Sequence, residues 1–330
     1  MGTWNGFTIC FVISIVSAYI TLNVETGFVT EFDSKWNDWK YEQNKEYKSK
    51  EEELARKIIF IENLLYIDSF NKEDHSFTLG LNQFADLTNS EYREQYLSPI
   101  KDSEPRSTNG TLQIFDSIIP SIDWRTKGAV GAIKNQYNCK CGWAFSATAA
   151  LEGQNAIKTG GFEVLSEQQL LDCSQGYGNN GCYGGSVYNS YRYWQYYREE
   201  RQSAYPYEAK VGSCRYDPGK GIVDPINYFT FLSRGCCTCV MYALYYNGPI
   251  SVGIDASQPS FQFYRDGLYT DNNCNRYNLN HAVLISAYYQ PEDYYWVKNS
   301  YGSSWGIDGN FKIKPLTNMC GICQQGSYPA

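Results

Sequence analysis

The chain has 330 residues, 43% of them apolar and 19% charged, so it is long enough to bury a large core. Its 28 Lys and Arg against 35 Asp and Glu give a formal net charge of −7, which excludes the broadly basic surface that nucleic-acid binding requires. The acidic excess comes from residues 1–119, where 19 acidic residues outnumber 11 basic ones.

An apolar run opens the chain. Residues 7–20 are too few to span a bilayer comfortably, and Val16-Ser17-Ala18 resembles a small-residue cleavage site. We therefore predict a secretory signal peptide over residues 1–18. No Lys or Arg precedes the run, which leaves an uncleaved anchor as the alternative. No later segment is a membrane-span candidate, so no membrane association is expected once the signal is removed.

The acidic N-terminal third carries two further patterns and a linker. One face of a long helix is indicated by residues that recur at spacings of four and three, namely Glu52, Arg56, Phe60, Asn63, Ile67 and Asn71. The motif Gly80-Leu81-Asn82-Gln83-Phe84-Ala85-Asp86 follows. Residues 98–118 contain two prolines and the sequon at Asn109, which is typical of an exposed, cleavable connection with a glycosylation site.

Cysteines stand where a second helix is expected to begin. Cys139 and Cys141 precede an Ala-rich, Pro-free run over residues 147–158, and Gly160-Gly161 follows as a stop signal. Free N–H groups and the positive end of the helix dipole stabilise a thiolate, so a cysteine at this place is a candidate nucleophile.

A nucleophile needs a base, and the base needs a group that orients it. The chain has two histidines, and one of them, His281, lies 139 residues after Gly142. Asn299 lies 157 residues after Gly142. These separations lie in or close to the spacing that is typical of papain-type proteases.

From about Phe32 to its last residue, the chain resembles a papain-family, cathepsin L-like cysteine peptidase precursor. The resemblance implies an α+β, papain-like two-domain fold, with a helical domain at about 119–230 and an antiparallel, β-barrel-like domain at about 231–330. It also implies that residues 19–118 form a helical inhibitory propeptide that runs through the cleft of the mature body. The matching blocks, in order, are Asp123-Trp124-Arg125, Gln136, Cys139, Trp143-Ala144-Phe145-Ser146, Leu165-Ser166-Glu167-Gln168, Gly181-Cys182-Tyr183-Gly184-Gly185, Leu279-Asn280-His281-Ala282-Val283, Lys298-Asn299-Ser300 and Cys320-Gly321-Ile322.

In this family a cysteine thiolate attacks the peptide carbonyl, a histidine shuttles the proton and an asparagine orients the histidine. A glutamine amide and the nucleophile's own N–H hold the oxyanion. The resemblance assigns these roles to His281, Asn299 and Gln136. With Cys139 and Trp143 aligned, however, Gly142 occupies the nucleophile position, and Tyr301 replaces the tryptophan that shields the histidine and asparagine.

Cys141 lies one residue before the nucleophile position. That shift turns a Cβ by about 100° around a helix and moves its Cα by roughly 3.8 Å. A misplacement of about 1 Å can already cost ~10²-fold in rate.

Three interpretations remain open. The first is a non-catalytic homologue that binds peptides, inhibitors or another protein through the cleft. The second is an active endopeptidase that uses Cys141 as a displaced nucleophile with His281 and Asn299. The third is a structural or storage protein that does not use the cleft.

The resemblance also implies a substrate cleft. Gly184 and Gly185 would offer backbone for pairing with an extended peptide. The pocket for the residue two before the scissile bond would be lined by Ser186, Val187, Gly253 and Ala282, with Gln325 at its base. The polar base predicts a less purely apolar preference than is usual for this family.

The expected partners are the chain's own propeptide, peptide or protein ligands, and cystatin-like inhibitors. No cofactor and no metal is expected, and the protein is expected to be a monomer. The signal peptide and the cysteines indicate the secretory pathway, with an extracellular or lysosome-like destination.

Twelve cysteines in a secreted chain indicate disulfides. The resemblance implies the pairs Cys139–Cys182, Cys173–Cys214 and Cys274–Cys320. Removing Cys10 with the signal leaves an odd number, so at least one further cysteine is expected to be free or to pair between chains. The unassigned cysteines are Cys141, Cys236, Cys237, Cys239 and Cys323. Extra disulfides or free thiols are favoured over a metal site, because the mature part has one histidine.

Overall fold

The computed structural model describes residues 28–100 and 119–330. The predicted signal peptide, its Cys10, the sequon at Asn109 and most of the predicted linker lie outside the described residues. The described residues divide into two compact units, one that ends at Tyr66 and one that starts at Ile67. Each unit is described by itself.

The first unit is helical. Helix α1 spans Phe28–Glu42, and α2, which begins in this unit, spans Lys50–Phe70, so the predicted long helix is confirmed. Three consecutive glutamates in the first turn of α2 suit the positive end of its dipole. Trp36 stacks on Trp39 with ring centroids 5.4 Å apart, and Phe60 of α2 meets Trp36 edge-on at 5.2 Å. This aromatic cluster joins α1 to α2.

The second unit starts with elements that lead toward the cleft. Strand β1 spans Phe77–Leu79 and helix α3 spans Asn89–Tyr96. A capping box begins α3, with Glu91 N–H donating to Thr88 Oγ1 at 3.2 Å and Thr88 N–H donating to Glu91 Oε2 at 2.9 Å. The chain then leaves α3 in extended conformation.

A helical half follows. Its helices are α4 (Gly142–Thr159), α5 (Glu167–Cys173) and α6 (Val187–Trp194), and α4 ends at Gly160 with φ of 76°, as the stop signal predicted. Two short strands, β3 (Glu199–Glu200) and β4 (Gly221–Val223), pair antiparallel. Tyr191 and Trp194 of α6 are buried in the core between these elements.

The other half is dominated by one sheet. Its strands are β2 (Ile122–Asp123), β5 (Phe229–Phe231), β6 (Ile250–Ile254), β7 (Tyr264–Tyr269), β8 (His281–Tyr289), β9 (Tyr294–Lys298), β10 (Asn310–Ile313) and β11 (Gly326–Pro329). The order is β1-β7-β10-β9-β8-β6-β11-β5, and β2 pairs with β8. The strands expected near residues 249–255, 281–287, 294–298 and 311–314 are confirmed. The pairing is antiparallel except between β7 and β10, which is a departure from the antiparallel expectation.

Helix α4 packs directly against this sheet. Ser146 Oγ donates to Val283 O of β8 at 2.7 Å and lies 2.6 Å from Ser251 Oγ of β6. Two further helices, α7 (Cys237–Asn247) and α8 (Pro259–Gln262), connect the strands. Among the described helices, none is long and apolar enough to cross a membrane.

Five disulfides join described cysteines. Three are the pairs implied by the resemblance, and Cys236–Cys239 and Cys237–Cys323 are added to them. Cys141 is the free cysteine of the described residues. Because Cys236, Cys237 and Cys239 are all oxidised, none of these three is a thiolate ligand for a metal ion.

A buried ion cluster fixes the segment that precedes α4. Lys134 Nζ lies 2.9 Å from Glu152 Oε1 of α4 and 2.6 Å from Glu167 Oε1 of α5. Burial by itself would lower the pKa of Lys134, but the two carboxylates outweigh it and raise that pKa to about 12. Lys134 therefore stays charged and holds this segment against both helices.

We expect Lys134→Met to lower the free energy of unfolding by about 3–5 kcal/mol, because it leaves two buried carboxylates without their cation. Urea unfolding midpoints of the full chain would measure this. Lys158→Met is the matched control, since Lys158 is exposed near the end of α4, and it should change stability by less than about 0.5 kcal/mol. Equal midpoints for the two variants would contradict the prediction.

Candidate active site

Four structural elements bring the predicted catalytic residues together. Gly142 is the first residue of α4, His281 is the first residue of β8, and Asn299 follows β9 directly. Gln136 lies in the loop before α4, and its N–H donates to Ser300 O at 2.8 Å. Residues far apart in sequence thus meet because α4 packs on β8.

His281 and Asn299 form a buried pair. His281 Nε2 lies 2.8 Å from Asn299 Oδ1, and each residue is 3% exposed. Burial lowers the pKa of His281 to about 4, against the opposing effect of the hydrogen bond to Asn299. The imidazole is therefore neutral in neutral and mildly acidic solution, with Nδ1 directed toward Gly142.

Tyr301 covers the histidine. Its ring stacks on the imidazole with centroids 4.8 Å apart and planes inclined by 24°, and Tyr301 is fully buried. Its hydroxyl lies 3.1 Å from that of Tyr92 in α3, which donates to Ala256 O at 3.1 Å. The tyrosine ring thus shields the imidazole, which is the role that the resemblance expects of a tryptophan at this position.

The imidazole fills the space beside Gly142. A Cβ built on Gly142 would lie 2.6 Å from both Nδ1 and Cε1 of His281, and 3.3 Å from Ala282 O. Contacts under 3.0 Å do not occur for real Cβ atoms, so any side chain at position 142 requires the His281 ring to shift.

Gln136 is held from several sides. Its Nε2 donates to Cys139 O at 2.7 Å and to Tyr96 O at 3.2 Å, and its Oε1 accepts from Ser300 Oγ at 2.6 Å. Sequence reasoning gave Ser300 no role, although it stands beside Asn299 in a matching block. This hydroxyl fixes the amide so that its N–H groups point toward the carbonyl of Tyr96.

The surroundings of Cys141, the possible displaced nucleophile, differ from those of Gly142. Cys141 is the residue before α4, is fully buried in the core of the helical half, and has its Sγ 3.1 Å from the Tyr207 hydroxyl. That hydroxyl donates to Gln136 O at 2.7 Å. Burial raises the pKa of the Cys141 thiol well above its usual range, although the contact with Tyr207 opposes this. The thiol is accordingly protonated and enclosed.

The segment after α3 occupies the cleft. Ser98 N–H donates to Asn280 O at 3.0 Å, and Ile100 N–H donates to Leu279 O at 2.9 Å. A Cβ on Gly184 would lie 3.0 Å from Ser98 Cβ. Sequence reasoning missed the carbonyls of Leu279 and Asn280 as pairing partners, because backbone acceptors leave no mark in a sequence.

Ile100 enters the predicted pocket. A Cβ on Gly253 would lie 3.0 Å from Ile100 Cδ1 and 3.6 Å from Gln325 Oε1. Ala282 and Gly185 line the same small cavity as Ile100. Ser186 caps α6, with its hydroxyl accepting from Asn189 N–H at 3.2 Å, and Val187 packs against the helical core. Their place in the pocket stays a prediction.

Two family descriptions match the chain. Residues 118–330 match "Papain family cysteine protease", and residues 36–92 match "Cathepsin propeptide inhibitor domain (I29)". The chain belongs to the papain family of cysteine proteases. It is cathepsin L-like and carries its own inhibitory propeptide.

Relatives share most of this papain-family chain. Cathepsin L1 of Drosophila melanogaster is 40% identical over 331 residues, which cover 94% of this chain and 89% of that protein. Procathepsin L of Mus musculus is 38% identical over 317 residues, covering 92% and 93%. The structure of digestive procathepsin L2 proteinase from Tenebrio molitor larval midgut superposes with a TM-score of 0.83 at 33% identity, covering 91% and 99%. The predicted α+β, papain-like fold with its propeptide is thereby confirmed.

We expect the buried, neutral His281 to make stability depend on pH. Its pKa in the folded chain, about 4, lies below the unfolded value of about 6.5, so its contribution is complete above about pH 6.5 and is lost as pH falls toward 4. Between about pH 7.5 and about pH 4.5, wild type should lose roughly 2–3 kcal/mol more than His281→Asn. Urea unfolding of both proteins across this range measures the difference, and parallel pH profiles would contradict it.

Proposed function

We propose that this chain is a secreted zymogen of the papain family whose mature body is non-catalytic and binds peptides or proteins through the cleft. In this proposal residues 1–18 are a signal peptide, 19–118 the inhibitory propeptide and 119–330 the mature body. The protein acts as a monomer in an extracellular or lysosome-like compartment, where cystatin-like inhibitors are further candidate ligands.

One observation carries the proposal. Gly142 stands opposite His281 Nδ1 at the start of α4. The resemblance to the family assigns the nucleophile to this position, and glycine supplies no attacking atom. The histidine, the asparagine and the glutamine amide retain a catalytic arrangement around it. Deleting a triad nucleophile costs about 10⁶-fold in a well-studied serine protease, and the same order is expected here.

The alternative is an active cysteine endopeptidase that uses Cys141. The relatives' printed names, such as Digestive cysteine proteinase 2 of Homarus americanus, describe proteases, and a thiol adjacent to the nucleophile position favours this alternative. Against it stand the complete burial of Cys141, its contact with Tyr207 and its disfavoured thiolate. Catalysis by Cys141 would require the start of α4 to rewind.

The cleft remains suited to an extended chain. The carbonyls of Leu279 and Asn280 already accept backbone N–H groups from the propeptide, and Ile100 lies beside Gly253 and Gln325. After propeptide removal, the same acceptors and pocket are open to another peptide. Backbone pairing would supply affinity, and the pocket would supply selectivity.

The catalytic proposal is tested by activity after propeptide removal, with a fluorogenic peptide ending in Phe-Arg in mildly acidic, reducing buffer. Wild type should show no detectable cleavage of this peptide. Gly142→Cys should gain at least about 10²-fold over wild type, and less than the full ~10⁶-fold, because its Cβ must first displace the His281 ring.

Gly142→Ala is the matched control, since it adds the same Cβ without a sulfur atom and should stay silent. Cys141→Ala should leave wild-type behaviour unchanged. If wild type cleaves the peptide and Cys141→Ala abolishes cleavage, the proposal is wrong and Cys141 is the nucleophile.

A second prediction concerns pocket selectivity. We expect peptide libraries bound to the wild-type mature body to show medium-sized aliphatic residues together with polar ones such as Gln or Thr, because Gln325 Oε1 borders the pocket beside Gly253. Gln325→Leu should remove the polar members from the selected set. An undiluted Leu or Phe preference in wild type would refute the role of Gln325.

A further inference from the structure

The disulfide between Cys236 and Cys239 lies at the start of helix α7, and the proposed cleft function does not use it. Cys236 is the N-cap residue, and Cys239 is the third residue of the helix. The intervening sequence makes this a Cys-X-X-Cys pair. Such pairs at helix N-termini are the usual place for exchangeable disulfides, because the terminus stabilises a thiolate.

The N-cap acceptor of helix α7 is a sulfur atom. Cys236 Sγ accepts the N–H of Cys239 at 3.2 Å and lies 3.4 Å from Thr238 Oγ1. This is the acceptor position that a serine or threonine hydroxyl normally fills, and a charged acceptor there gains from both the N–H group and the helix dipole. The local sequence from residue 226 to 247 contains one cation, Arg234, and no carboxylate. A thiolate at Cys236 would therefore be stabilised by the backbone and not opposed by neighbouring acidic residues in that segment.

The two sulfur-bearing residues differ in exposure. Cys236 is half-buried, and residues 233–235 before it are exposed, whereas Cys239 is 7% exposed. An incoming thiol therefore reaches Cys236 first and finds Cys239 as the protected leaving group. The neighbouring disulfide gives a contrast, since Cys237 and Cys323 are 9% and 1% exposed.

The Cys173–Cys214 disulfide shows that an exposed cysteine is not sufficient for easy exchange, because the position of its partner in a helix also matters. In the Cys173–Cys214 disulfide, Cys214 is exposed, but its partner Cys173 is the last residue of α5. Attack at Cys214 would expel a thiolate at the negative end of a helix dipole, which disfavours it. Attack at Cys236 expels Cys239 in the first turn of α7, where a thiolate is stabilised.

We propose that Cys236–Cys239 is a redox-active disulfide that exchanges with small-molecule thiols of the glutathione class. A thiolate attacks Cys236 Sγ, the bond to Cys239 breaks, and Cys239 leaves as a thiolate, giving a mixed disulfide at Cys236. A second thiolate attacks the outer sulfur of that mixed disulfide and expels Cys236 as a thiolate. Two thiols are oxidised to one disulfide, and the protein disulfide is reduced to two thiols. The two protons lost by the incoming thiols are taken up, through solvent, by the Cys239 and Cys236 thiolates.

The test uses the full chain in glutathione buffer, with timed alkylation and peptide mass mapping. Cys236–Cys239 should be reduced at least about tenfold faster than either Cys237–Cys323 or Cys173–Cys214. In buffer that also contains glutathione disulfide, Cys239→Ser should accumulate one glutathione at Cys236: the Cys236 thiolate attacks the glutathione disulfide and expels one glutathione thiolate, and no resolving thiol is present to remove the other. A longer cysteine-containing peptide in place of glutathione should react more slowly, because small thiols are the proposed substrates. An equal or faster reaction of the longer peptide would overturn that assignment.

The control is Cys173→Ser/Cys214→Ser, which should leave exchange at Cys236 unchanged, whereas Cys236→Ser/Cys239→Ser should remove the fast phase. Comparable reduction rates for Cys236–Cys239, Cys237–Cys323 and Cys173–Cys214 in wild type would overturn the proposal, and that measurement needs no variant to fold.

Discussion

The packing of helix α4 against strand β8 is the contact on which the site depends. The sheet-facing part of α4 is built from small residues, including Gly142 and Ser146, and the Ser146 hydroxyl bonds to the backbone of Val283 and approaches Ser251. This close approach sets the first residue of the helix beside the first residue of the strand. The distance between Gly142 and His281 is thus a consequence of core packing and not of any local motif.

The arrangement around position 142 is consistent with the proposed loss of the nucleophile. With no side chain at position 142, the imidazole lies within 2.6 Å of the place that a Cβ would take, and it is hydrogen-bonded to Asn299 and covered by Tyr301. Glycine at a helix start is tolerated, so the fold does not require the sulfur. The geometry of the remaining groups is kept by hydrogen bonds from elements that also build the core, such as Ser300 to Gln136.

The propeptide segment contacts groups that the proposed cleft function assigns to a bound peptide. The carbonyl of Tyr96 accepts from the Gln136 amide, and the hydroxyl of Tyr92 meets that of Tyr301. Ser98 and Ile100 pair with the two residues before His281. Each of these contacts is available whether or not position 142 carries a thiol, which is why a zymogen-like arrangement persists beside a glycine.

The sequence alone determined the family, because ordered motif blocks are carried by the chain itself. Residue periodicity and breakers located the long helix before residue 71, the helix that ends before Gly160 and four strands of the main sheet. The resemblance also supplied the proposed roles of Gln136, His281 and Asn299. Counting between the matching residues Cys139 and Trp143 also identified Gly142 as the residue at the proposed nucleophile position. The tertiary structure decided burial, disulfide pairing and backbone contacts, which residue spacing does not determine. Burial put Cys141 in the core against Tyr207, and the meeting of distant segments paired Cys237 with Cys323. Three-dimensional packing also sets the backbone acceptors at Leu279 and Asn280 and the close approach of the imidazole to Gly142, since no side-chain identity encodes them.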